Sequence, residues 1–94
     1  MPRRREIEAA IAAHNAAGRR PLLTPEAARL LAAMFAEADV CQRNLESLAS
    51  EGFSRGILVR LLRGLIEAGF VSKERGVSHA PNTYRLHLPP PRQP

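Results

Sequence analysis

Three arginines occur within the otherwise apolar segment SRGILVRLLRGLIEA, residues 54–68. On a helix, Arg60 and Arg63 would lie on one face within a single turn, because they are three positions apart. Their guanidinium groups can donate to phosphate oxygens or to the O6 and N7 atoms of guanine. Ser54 and Arg55 come at the start of the segment, where free backbone N–H groups and the helix dipole favour a phosphate. The spacing therefore predicts a surface that binds a polyanion.

The rest of this segment predicts how it is buried. Apolar residues spread over more than half of the helical circumference and are expected to pack against two neighbouring elements: Ile57, Leu58, Leu61, Leu62, Leu65 and Ile66. The opposite arc, with the arginines, is left for a partner. It also carries Gly56 and Gly64, although glycine costs a helix about 1 kcal/mol relative to alanine. These glycines indicate close backbone approach, either by DNA or by another helix.

Further basic residues follow in a predicted β-hairpin. Lys73, Arg75 and His79 fall at its tip, and Arg85 falls on the outward side of the returning strand. A narrow minor groove has the most negative potential on DNA, and Arg75, next to Gly76, is the candidate to enter it. An ordinary solvated turn is the alternative interpretation.

The whole chain is basic, as helix 54–68 and the hairpin are. Its 94 residues carry 14 Lys and Arg against 9 Asp and Glu, which gives a net charge of +5 and favours a polyanion or an acidic protein as partner. Two more arginine clusters lie at residues 3–5 and 19–20; an arm that tracks phosphates is one interpretation, and the preferred one is that they are solvated ends, as such runs often are.

Groups suited to catalysis or metal binding are few and scattered. Cys41 is the single cysteine, which excludes an internal disulfide and a Cys-based zinc site, and it is expected to be buried or half-buried. His14 is expected to pack on the apolar side of a helix. The chain has no Gly-rich phosphate loop, metal-ligand spacing or Ser-His-Asp order. We therefore expect neither enzymatic activity nor a cofactor.

Local signals predict the elements that position these residues. Helices are predicted at residues 3–17, from 25 onward, at 45–51 and at 54–68, with Thr24, Asn44 and Ser54 as N-caps and Gly18, Gly52 and Gly69 as stop signals. Strands are predicted at 70–74 and 82–88, and residues 39–43 read as a connector or short strand.

This order of elements over residues 23–88 resembles the winged helix-turn-helix family of bacterial DNA-binding domains. The resemblance is carried by LASEGFSRG at 48–56, LLRGLIEAGFV at 61–71 and NTYRL at 82–86. It implies that helix 54–68 lies in the major groove and that the wing, residues 72–88, touches a minor groove or the backbone. The long C-terminal dimerisation helix of MarR-type regulators and the clustered ligands of ArsR-type metal sensors are not matched, so no subfamily is assigned.

The expected fold is mainly α with a small β-hairpin, as a winged helix-turn-helix with an extra N-terminal helix. Residues 1–20 would form a basic amphipathic helix, 21–88 the winged domain and 89–94 a Pro-rich tail. The first helix would support a homodimer, because its apolar side otherwise covers only one small core. No run approaches the ~18 apolar residues of a membrane span, so we expect a cytoplasmic, nucleoid-associated protein.

Two functions follow from these features. The first is a protein that binds double-stranded DNA, as a transcriptional regulator or a small replication or recombination accessory factor. The alternative is a winged-helix module for protein–protein contact, an anti-activator or assembly subunit, because helix 54–68 has no Asn or Gln to read adenine. Six Arg and Lys against two Glu between Arg55 and Arg85 favour DNA.

Overall fold

The computed structural model describes residues 2–88 and residue 90. The described residues form four helices and a three-stranded antiparallel sheet: α1 (Pro2–Ala16), α2 (Pro25–Met34), β1 (Val40–Cys41), α3 (Leu45–Ala49), α4 (Arg55–Ala68), β2 (Val71–Glu74) and β3 (Thr83–Leu86). The prediction of a mainly helical fold with a small antiparallel hairpin is confirmed at this level. The predicted Pro-rich tail lies outside the described residues except for Pro90.

The helix boundaries agree with the local signals in the sequence. Thr24, Asn44 and Ser54 are N-caps, and each side-chain oxygen accepts the N–H of the residue three positions further on. Gly69 ends α4 in the left-handed region, with φ of +89°, which favours glycine because it has no Cβ. The largest difference is in α3, which ends at Ala49 and not at residue 51 as predicted.

The connection between α3 and α4 is held by a buried aromatic ring. Gly52 turns the chain with φ of +101°, and Phe53, which follows it, is buried. The guanidinium carbon of Arg29, on α2, lies 4.0 Å from the centroid of the Phe53 ring. This cation–π contact and the burial of the ring fix α3 and α4 against α2.

The sheet has the strand order β1-β3-β2. The predicted connector or short strand is β1, an edge strand in which Cys41 pairs with Tyr84 of β3. Cys41 is buried, as expected. Along β3, Tyr84 and Leu86 are buried and Arg85 between them is exposed, which is the alternation expected for a strand with one face on the core.

The apolar side of α1 lies in the same core as the other helices. Ile7 and Ile11 are buried, and so is His14, whose Nε2 donates to the carbonyl of Pro21 at 2.7 Å. The His14 ring packs edge-on against Phe70, with centroids 5.6 Å apart, which confirms its packing role. The face of α1 that we assigned to a homodimer is therefore already buried within one chain, and the reason for placing a dimer there does not hold.

Candidate functional site

An open groove of about 800 Å³ lies between the start of α3, one side of α4 and the β2–β3 hairpin. We call it the α4 groove, because α4 supplies one complete wall, made of Arg55, Val59, Leu62, Arg63, Ile66 and Glu67. The α3 side begins at Arg43, and the hairpin side includes Lys73, Asn82 and Tyr84.

The α4 wall has its orientation because of what lies beneath it. Leu58, Leu62 and Leu65 are buried in the core and fix the rotation of the helix. Residues four apart differ by about 40° around a helix and by about 6 Å along it. Arg55, Val59 and Arg63 consequently form a slanting stripe on the wall of the groove, which turns through about 80° from one end to the other.

The α3 side carries a cation that is held by its neighbours. The Arg43 guanidinium donates to the Ser47 hydroxyl and carbonyl oxygens at 2.9 and 2.8 Å, and to a Glu51 carboxylate oxygen at 2.9 Å. These contacts neutralise much of its charge and fix its position. Arg43 therefore shapes the edge of the groove more than it adds free positive charge.

The hairpin side is set by the register of its two strands. Lys73 pairs with Tyr84, so both side chains lie on the same face of the sheet, and both line the groove. Arg85 is on the other face, where it lies 3.8 Å from Glu74. Strand alternation thus turns Lys73 toward α4 and Arg85 away from it.

The α4 groove brings together three of the nine predicted site residues: Arg55, Arg63 and Lys73. Within residues 2–88, none of these three has a carboxylate within the 4.0 Å of an ion pair. Glu46 and Glu67 also line the groove, so the wall is mixed in charge with the free cations in excess. The other six predicted residues lie outside the lining: Ser54, Gly56, Arg60, Arg75, His79 and Arg85.

Arg60 and Arg63 do not share a surface in the way their spacing suggests. Both are exposed, yet only Arg63 lines the groove. Arg60 lies about 60° beyond Arg63 in the direction away from Arg55, on the side of Gly64, and so falls outside the arc that lines the groove. A Cβ on Gly64 would lie 3.8 Å from the Leu23 and Pro21 side chains, which is ordinary van der Waals distance, so no helix in the described part of the chain makes the close approach expected at this glycine.

The predicted apolar arc of α4 is wider than the one the fold buries. Ile57 and Ile66 are 38% and 37% exposed, and Val59, which the apolar arc did not include, is 44% exposed. The prediction that this whole arc packs against neighbouring elements is wrong at its two edges: Ile66 lines the open groove, and Ile57 lies at the opposite edge, outside the groove lining. Val59 and Ile66 therefore give the groove an apolar wall between its basic residues.

The sequence pattern does not identify Arg43, Asn82 or Tyr84 as groove residues. Asn82 accepts the N–H of Gly76 at 3.0 Å and closes the hairpin tip. A local signal exists only for Arg43, which precedes Ser47 by four positions and Glu51 by eight. Tyr84 reaches the groove through strand pairing and Asn82 through its hydrogen bond across the hairpin tip, and a single sequence specifies neither contact.

The described residues show neither a cluster of metal ligands nor a membrane-spanning helix. Within residues 2–88 and 90, His, Cys, Asp and Glu side chains nowhere gather in a group of three that could hold a metal ion. Over the same residues, the helices are too short or too polar to cross a bilayer.

Comparison with known proteins gives no match to a protein-family model, a curated protein or a solved structure.

Replacement of Gly76 by alanine tests the hairpin wall. A Cβ at this position would overlap the carbonyl oxygens of Ala80 and Pro81, which are backbone atoms and cannot move independently. We expect Gly76→Ala to lower the free energy of unfolding by ~1–3 kcal/mol, measured by urea denaturation. Gly56→Ala is the matched control, because a Cβ there meets no atom within 4 Å and alanine favours a helix. Equal midpoints for both variants would contradict this description of the tip.

Proposed function

We propose that this chain is a winged helix-turn-helix protein that binds duplex DNA, with α4 in the major groove and the hairpin on a minor groove or the backbone. The observation that carries the proposal is the convergence of Arg55, Arg63 and Lys73, without ion-pair partners in the described chain, on one open groove. Phosphate contacts by such cations supply most of the affinity of DNA-binding proteins.

The dimensions of α4 suit this role. Its 14 residues give a length of about 21 Å, and the major groove of B-DNA admits an α-helix. At its N-terminus, the Ser54 hydroxyl accepts the N–H of Ile57. The N–H groups of Arg55 and Gly56 lie in the first turn, where the helix offers them no carbonyl acceptor. Those amides and the helix dipole favour a phosphate, and Gly56 adds no side chain to obstruct its approach.

Within this proposal, the chain acts as a transcriptional regulator or as a small accessory factor in replication or recombination. One module of this size covers roughly 600–1,000 Å² of DNA, which supports modest affinity. A second copy or tandem binding would raise that affinity. Because Ile7 and Ile11 are buried in the chain, a second copy would contact a surface other than the apolar side of α1.

A second candidate function is the binding of a protein segment in the same groove. Exposed Val59 and Ile66 favour it, because apolar side chains in a groove suit a peptide as well as a base edge. The two functions differ in their response to salt, since counterion release makes DNA binding fall steeply as salt rises.

Two arginines on one helix provide the test. We expect Arg63→Ala to weaken binding to random-sequence duplexes by ~1–3 kcal/mol, which is a factor of about 5 to 150, because Arg63 lines the groove. Arg60→Ala removes the same side chain three positions away, outside the groove, and is expected to have a smaller effect. Fluorescence anisotropy with labelled duplexes measures both affinities. A larger loss for Arg60→Ala, or none for either variant, would refute the assignment of DNA to the α4 groove.

A further inference from the structure

The most exposed apolar side chain on the α4 wall is not explained by packing in the core. Val59 is 44% exposed and lies midway between Arg55 and Arg63, four residues from each. A β-branched residue is a weaker helix former than alanine, because its side chain loses χ1 freedom against the preceding turn. Exposure of Val59 in mid-helix therefore contributes little to stability, and its position between two cations indicates contact with the same partner.

The spacing of this stripe corresponds to a short run of base pairs. Arg55 and Arg63 are eight residues apart, which is about 12 Å along the helix. Successive base pairs in B-DNA are about 3.4 Å apart, so the stripe extends over three to four base steps with Val59 at its centre. The thymine 5-methyl is the distinctive apolar group on the base edges of the major groove.

We infer that Val59 is a specificity-determining residue, which contacts the 5-methyl group of a thymine between the bases or phosphates bound by Arg55 and Arg63. This inference rests on the proposed function, since it requires α4 to lie in the major groove. To the proposed function it adds the chemical class of one base at the centre of the bound site, which is a 5-methylpyrimidine. Burial of one methyl group in the contact contributes about 0.8 kcal/mol, which is roughly a fourfold change in affinity.

Replacement of thymine by deoxyuridine is the direct test, because it removes the methyl and keeps the Watson–Crick pairing. The probe is the duplex that the wild-type chain selects from a random library, remade with deoxyuridine at one thymine at a time. We expect the wild-type chain to lose about fourfold at one position. Val59→Ala should bind the thymine duplex more weakly and lose nothing further at that position.

Val40→Ala is the matched control, because Val40 is 41% exposed on β1, outside both the α4 groove and the β2–β3 hairpin. It should keep the full deoxyuridine effect of the wild-type chain. Both valines are exposed, so the two variants should retain the wild-type unfolding midpoint, which circular dichroism measures.

The outcomes separate this inference from the proposed function. Failure to bind any duplex would overturn both. Two outcomes would overturn the inference about Val59 and leave DNA binding intact. In the first, the chain binds DNA in a salt-dependent way but selects a sequence with no thymine. In the second, Val59→Ala shows the same deoxyuridine effect as the wild-type chain. A deoxyuridine effect lost in Val59→Ala and kept in Val40→Ala would support the inference.

Discussion

Deletion of residues 1–18 is expected to leave a chain that does not fold cooperatively. The deletion removes Ile7, Ile11 and His14, all buried in the core, and exposes the apolar surfaces of α2 and Phe70 that they cover. Loss of a single large buried side chain typically costs ~2–5 kcal/mol, whereas a small domain is stable by only ~5–15 kcal/mol. Circular dichroism over a urea series measures the loss of a cooperative transition.

A point substitution gives a graded form of the same result. Ile7→Ala should lower the free energy of unfolding by ~2–5 kcal/mol, because Ile7 is fully buried. Leu22→Ala is the control, since Leu22 is 62% exposed and its loss should change that free energy by less than about 0.5 kcal/mol. A truncated chain that still unfolds cooperatively at the wild-type midpoint would show that α1 is a peripheral element, as a dimer arm would be.

Combined replacement of Arg55, Arg63 and Lys73 by alanine is expected to remove most binding to duplex DNA. Each phosphate contact contributes about −0.9 to the slope of log K against log salt, so the slope should flatten by up to about 2.7 units. At moderate salt the affinity should fall by a factor on the order of 100 or more. All three side chains are exposed, so the unfolding midpoint should be unchanged. Filter binding over a salt series measures both quantities.

A charge-matched control separates the effect of the groove residues on binding from the effect of net charge. Replacement of Arg5, Arg19 and Arg20 by alanine removes three cations that are exposed and outside the groove lining. This variant should keep most of its affinity, because only long-range attraction is reduced. Equal losses in the two triple variants would mean that the chain binds DNA through its net charge and that the α4 groove has no special part.

The helices were predictable because their signals are local. Thr24, Asn44 and Ser54 each cap a helix with a side chain that reaches three residues ahead, and Gly69 ends α4 without reference to the rest of the fold. By contrast, the apolar side of α1 could be buried in its own chain or in a dimer. Periodicity is the same in both cases, so the sequence predicted a dimer where the core accounts for the burial.

The site was predictable only in part, for a similar reason. Periodicity separates the buried side of α4 from its outer side, and it correctly predicts that Arg55, Arg60 and Arg63 are exposed. It does not show which part of the outer side faces the hairpin, because that depends on how the chain leaves α4 after Gly69. For the same reason, periodicity does not predict that Ile66 is exposed in the groove. The roles assigned to Arg75 and His79 at the hairpin tip stay predictions.

The most direct test of the central claim is an NMR titration of the ¹⁵N-labelled chain with a random-sequence duplex. If the α4 groove binds DNA, the largest amide shifts should occur at Arg55, Val59, Arg63 and Lys73. They should decrease together as salt is raised, because binding depends on counterion release. Amides on the outer side of α1, such as that of Ala13, should change little. Shifts centred on α1, or no shifts at duplex concentrations well above those of the chain, would contradict the account.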